Sequence, residues 1–215
     1  MKPAASQLSA DRASGRLVRL ALMLLVPGLL AGAASAYLID RPVAGFLHMH
    51  QILIRPAHVV DQIGNAAWYV AGGLLAWLYF RYRKQDAARA AKGAYLVAAV
   101  AAGGSAELIE WIIGRARPNM LFELDRYGFF LGFFTKHHDS FPSSHMAVAL
   151  SGMVALGMLF PRGRWLFIAL GLLVAPARLV QGAHFPGDVI AGATYGAAAA
   201  LLVAALFIRR GWAAL

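Results

Sequence analysis

Residues 189–208 read VIAGATYGAAAALLVAALFI, twenty residues in a row without a charge. A helix that crosses a bilayer needs ~20 mostly apolar residues. It also satisfies its backbone hydrogen bonds within one segment, as lipid demands. Working outward from this run, the same pattern recurs at about 17–38, 63–80, 93–113, 146–160 and 165–182. The run at 146–160 is short, and its ends are the least sharply marked. The chain therefore reads as all-α, a polytopic bundle of six transmembrane helices forming one membrane-embedded domain over residues 1–215.

Composition agrees. Sixty per cent of the residues are hydrophobic and 14% are charged, whereas soluble domains lie near half apolar and a quarter charged. Cysteine is absent, which excludes disulfides, a thiol nucleophile and cysteine metal sites. The net charge is +10. Its basic residues sit in short stretches between apolar runs, so topology explains them and nucleic acid is not an expected partner. Lys2, Arg12, Arg16, Arg19, Arg81, Arg83, Lys84, Arg89, Lys92, Arg162, Arg164, Arg209 and Arg210 fall in alternate loops and both tails. The positive-inside rule then makes both termini cytoplasmic, with residues 1–16 as a tail. Loops 39–62, 114–145 and 183–188 face outward from the cytoplasmic (inner) membrane. The first run, ending in Ala33-Ala34-Ser35-Ala36, resembles a signal peptide, but its length favours a retained helix.

The outward loops carry more than linkers. Residues 43–55, bounded by Pro42 and Pro56, read as a short helix lying on the interface. Residues 119–141 hold Phe122, Tyr127, Phe129, Phe130, Phe133, Phe134 and Phe141. These are either headgroup anchors or the wall of an entrance for a lipid.

Three polar clusters fall on this same outward side. Arg117-Pro118 follows the third run, Phe141-Pro142-Ser143-Ser144-His145 opens the fourth, and Arg178, His184 and Asp188 lie between the fifth and sixth. Ionisable groups at a membrane boundary are costly and mark function. Arg117 and Arg178 offer planar forks of donors suited to phosphate. Ser143 and Ser144 stand where a helix begins, able either to cap it or to help cradle an anion. His145 and His184 suit a nucleophile and a proton donor. Asp188 reads as the acceptor of a His184 ring N–H, as a helix cap, or as both. His48 with His50, and His137 with His138, do not follow a metal-ligand spacing, so neither metal nor cofactor is expected.

These residues resemble the signatures of the type 2 phosphatidic acid phosphatase superfamily. Its first signature, a lysine followed after six residues by Arg-Pro, is matched by Glu110 through Arg117-Pro118. Its second, Pro-Ser-Gly-His, is matched by Pro142-Ser143-Ser144-His145. Its third, Ser-Arg with a histidine and an aspartate beyond, is matched by Ala177-Arg178, His184 and Asp188 at the family spacing. All three fall within residues 110–188. The resemblance implies metal-independent hydrolysis of a lipid phosphate or pyrophosphate at the extracytoplasmic face. His184 would form a phosphohistidine, His145 would protonate the leaving oxygen, and Asp188 would orient His184. Arg117, Arg178, Ser143 and the backbone around Ser144 would hold the phosphoryl oxygens.

Three positions depart from the family. Ser144 replaces glycine, Ala177 replaces serine, and Glu110 reverses the charge of the lysine. Arg115 or Lys136 is the candidate to restore that charge. Glu110 is expected either to pair with Arg115 or Arg178, or to select a substrate carrying a positive group. Phosphotransfer between lipids and a catalytically degenerate lipid-binding role are the competing functions. Both keep a lipid phosphate and the bilayer as partners.

Overall fold

A computed structural model describes residues 4–49, 54–131 and 137–212. Among these, the regular elements are helices. In chain order they are α1 (Ala4–Leu38), α2 (Asp40–Met49), α3 (Ile54–Asp61), α4 (Ala66–Leu78), α5 (Ala87–Gly104) and α6 (Ala106–Ile113). They continue with α7 (Pro118–Leu124), α8 (Ser144–Leu159), α9 (Arg164–Leu172), α10 (Val174–Val180) and α11 (Pro186–Arg210).

Four stretches are long and apolar enough to cross a membrane: Gln7–Leu38, Ala87–Ile113, Pro161–Val180 and Pro186–Arg210. Helix α8 is a shorter apolar helix of 16 residues. The 13 residues of α4 run on into a π-helical turn, Tyr79–Arg83. Two of the four long stretches are broken. Ser105 interrupts α5 and α6, where its hydroxyl donates to the Ala102 carbonyl at 2.7 Å. Leu173 separates α9 from α10. Pro176 explains that break, because it has no N–H and its ring crowds the carbonyl four residues back.

Helix α11 is the centre of the bundle. It packs on α1, α8 and α5, while α4 packs on α5 and α9 on α8. The core gathers Tyr69, Tyr95, Val100, Val148, Ala155, Ala200 and Phe207 from α4, α5, α8 and α11. The outside is apolar as well. Met23 is 71% exposed, Leu30 67%, Leu75 66% and Trp165 70%, a surface that lipid rather than water would cover.

The segment after α1 differs from expectation. The expected interfacial helix over 43–55 is replaced by α2, beginning at Asp40, and a separate α3; residues 50–53 lie outside the described ones. Pro42 and Pro56 sit inside the first turns of these helices instead of bounding one helix. A first turn has no internal partner for its N–H groups, so proline is tolerated there.

Small residues set the central helix spacing. A Cβ on Gly196 would overlap the backbone carbonyl of Ala147 on α8. Backbone cannot swing aside as a flexible side chain can, so α8 and α11 would have to part. Gly196→Ala should therefore destabilise the protein by about 1–3 kcal/mol, read as a lower unfolding temperature in detergent. An unchanged transition would mean that this contact is looser than described.

Candidate active site

Gly114 ends α6 in the left-handed region, with φ 64°. That turn leads residues 115–117 towards the loops that precede α8. Ala116 N–H donates to Gly128, Arg117 N–H to His137, and Ser140 N–H to Arg115. The loop carrying the first signature is thus laced to the loop leading into the second.

His184 is buried just ahead of α11. Its Nδ1 lies 2.8 Å from the carbonyl oxygen of Ser140. A carbonyl only accepts, so Nδ1 carries the proton and Nε2 keeps its lone pair. Nε2 in turn lies 3.2 Å from Arg178 Nη2. Burial pushes the His184 pKa well below the usual histidine range, and the positive charges of Arg178 and Arg117 push it the same way. The imidazole is therefore neutral at physiological pH. His145 and Arg117 both act electrostatically on His184, so both motif histidines and both motif arginines share one neighbourhood.

Each arginine already has a carboxylate. Arg178 Nη1 donates to Asp61 at 3.0 Å, and its Nε is buried without a hydrogen-bond partner. Arg117 Nη2 donates to Asp139 at 2.9 Å. Arg115 is fully buried, with Nη1 on Asp188 and Nη2 on Asp40 at 2.7 Å. The rings of Phe185, Phe129 and Tyr127 surround it, their centroids 4.7, 5.2 and 5.5 Å from Cζ. Both acids raise the Arg115 pKa above its ordinary value, against the opposing effect of burial. Its charge is permanent.

Three expectations change here. Asp188 does not accept from His184. As the third residue of α11 it turns back onto the Phe185 N–H at 2.8 Å, and it takes the Ser140 hydroxyl at 2.6 Å. The Ser140 carbonyl fills the role expected of Asp188. Arg115 lies behind His184 and is committed to Asp40 and Asp188, so it does not restore the missing lysine charge. Glu110 pairs with neither Arg115 nor Arg178; its Oε1 accepts the backbone N–H of Ser144 at 2.7 Å, at the very start of α8. Lys136 lies outside the described residues, as do Phe133, Phe134 and His50.

The Ser143 hydroxyl caps α8 by accepting from Met146 N–H at 3.4 Å, and its own N–H donates to the Asp188 carbonyl. Phe129 packs over Arg115 and meets Phe141 edge-on at 5.9 Å, which ties it to the site wall. Asp40, Asp61, Asp139 and Ser140 were not singled out from sequence. One signal pointed to the acids: three buried or boundary arginines need counterions.

Two cavities meet these residues. One of about 350 Å³ is lined by Asn65, Glu107, Ser144 and His145. The other, about 220 Å³, reaches His184 between Val43, Leu47, Ile54, Phe122 and Leu179. The first is bordered by polar and apolar groups alike, the second mostly by apolar ones. Among the described residues, no three carboxylates or imidazoles gather as metal ligands.

Comparison with known proteins gives four matches. Residues 91–212 match the model of the PAP2 superfamily. A lipid A 1-phosphatase of Rhizobium etli is 33% identical over 84% of this chain and 82% of its own length. A second protein of that name, from Rhizobium johnstonii, is 35% identical over 69% of this chain, and the match spans 65% of that relative. A bacitracin transport permease protein of Bacillus licheniformis matches 30% of the chain at 35% identity. No solved structure matches significantly.

The electrostatics of His184 can be checked directly. In protein labelled with [15N]histidine, the resonance removed by His184→Asn should report a neutral ring protonated on Nδ1. It should titrate well below pH ~6.5, because burial and two nearby cations oppose a second proton. Titration at or above that value would contradict the described environment.

Proposed function

We propose a function from one established premise, that the chain belongs to the PAP2 superfamily, the type 2 phosphatidic acid phosphatases. It is an integral membrane phosphatase that hydrolyses a phosphoric monoester on a lipid. The 1-phosphate of a lipid A-type molecule is the favoured substrate, from the two rhizobial relatives. The carrying observation is a buried, neutral His184 whose Nε2 lone pair sits beside Arg178.

Nε2 attacks phosphorus, and the bond from phosphorus to the lipid oxygen breaks. His145, protonated, gives its proton to that leaving oxygen. The phosphohistidine is then opened by water, with His145 taking the proton and phosphate departing. Arg178 and Arg117 stabilise the equatorial oxygens, and the partnerless Nε of Arg178 is a donor ready for one of them. The apolar cavity at His184 receives the lipid part next to the phosphate. Six spans, with α4 and α8 as the two shorter ones, put both termini in the cytoplasm and this site outside.

Glu110 tunes binding. Its Oε1 occupies the Ser144 N–H, a donor the phosphate would otherwise use. Glu110→Ala leaves that N–H free for the substrate. It should lower KM for lipid phosphates while leaving kcat within a few fold. A KM that is unchanged or higher would remove this role.

The main test is phosphate release from a panel of lipid phosphates, lipid A included. His184→Ala should fall to background, and His145→Ala should slow turnover by about 10²–10⁴. Full activity in His184→Ala would end the proposal. Radiolabel from a [32P]lipid phosphate should be trapped on His145→Ala but not on His184→Ala.

A further inference from the structure

We propose that Asp40 is a positioning residue for the reaction at His184, a proposal that rests on the function assigned above. Asp40 opens α2, far from the three signatures and outside residues 91–212. It is nevertheless fully buried against the site. Its Oδ1 accepts from the Gly187 N–H at 2.9 Å and from the Ser35 hydroxyl of α1. Its Oδ2 accepts from Arg115 Nη2 at 2.7 Å.

From Asp40 a continuous path reaches the reacting ring. Arg115 Nη1 donates to Asp188, and Asp188 takes the Ser140 hydroxyl at 2.6 Å. The Ser140 carbonyl accepts the His184 Nδ1 proton at 2.8 Å. A second strand of the path is backbone, since Ser140 N–H donates to the Arg115 carbonyl. Asp40 also grips Gly187, three residues beyond His184, in the first turn of α11. It therefore holds both the acceptor that fixes the His184 tautomer and the turn from which His184 projects.

The physical need is orientation. An in-line attack tolerates little misplacement, and an error of 1 Å costs about a hundredfold. Ser140 is a loop residue between His138 and the start of α8, so its carbonyl needs an external anchor. Arg115, pinned at both ends of its fork, supplies that anchor. Without Asp40 the guanidinium keeps Asp188 and the Tyr127 hydroxyl, at 3.0 Å, but loses the carboxylate that fixes its second arm.

The test is a double-mutant cycle on full-length protein in detergent, with phosphate release from lipid A and thermal unfolding both measured. Asp40→Asn should lower kcat by about ten- to a hundredfold with KM within twofold. Ser140→Ala should also lower kcat. The double variant should lose no more than the larger single loss, because both lie on one path. The acid limb of phosphohistidine formation should move to lower pH in Asp40→Asn, since a weakened Nδ1 bond makes the ring harder to protonate. Losses that multiply, with an unmoved acid limb and a lowered unfolding temperature, would make Asp40 a fold element only and overturn the proposal. If Asp40→Asn does not fold, Ser35→Ala removes one bond to Asp40 alone. A kcat lowered by about two- to threefold at constant KM supports the proposal, and an unchanged kcat overturns it. If His184→Ala retains activity, the functional reading fails, whatever the cycle returns.

Discussion

Arg115 lies between Asp40 and Asp188, and all three are sealed from solvent. Burying charges costs several kcal/mol per ion, and attraction offsets this only when geometry and hydrogen bonding are nearly complete. Here they are close to it. Asp40 accepts from Ser35, Gly187 and Arg115, while Asp188 accepts from Arg115, Ser140 and the Phe185 N–H. Aromatic faces cover the guanidinium. Removing any one member would strand the others, so this cluster ties the start of α2 to the loop before α8 and to the start of α11.

That arrangement separates two kinds of arginine. Arg115 has both ends of its fork filled and serves geometry. Arg117 and Arg178 sit against single acids, Asp139 and Asp61, and keep donors to spare. In a poorly screened environment an unpaired guanidinium is expensive, so each carries a counterion before substrate arrives. The cations of this cluster are thus already compensated by carboxylates. Glu110 likewise satisfies the half-buried N–H at the start of α8, one of the donors a helix leaves without an internal partner.

The apolar runs made the helices legible, because lipid imposes a length and a composition that few other environments do. The signatures also placed Arg117, His145, Arg178 and His184 together, since short-range spacing survives folding. What stayed hidden is tertiary. Asp40 pairs with Arg115 across 75 positions, and Ser140 meets His184 across 44. No local pattern encodes such separations. Asp188 was legible as important but not in its contacts, because a carboxylate three residues into a helix can turn back to cap as readily as forward to a histidine. The breaks at Ser105 and Leu173 escaped for a different reason: hydropathy averages over them, although Gly103-Gly104-Ser105 and Pro176 mark both.

The placement of the acidic residues follows from these pairs. Of ten acidic residues, Asp11 and Asp86 lie in the basic tail and loop, and the other eight fall at or beyond the opposite ends of the helices. Four of those eight hold the three arginines of the site. The acids there are not a surface coat, then, but the counterpart of the signatures. A membrane enzyme that gathers cations to bind phosphate must also bury their partners, and those partners are supplied by segments well outside the motifs. This is why a residue as far back as α2 is bonded into the cluster behind His184, well outside the three signatures.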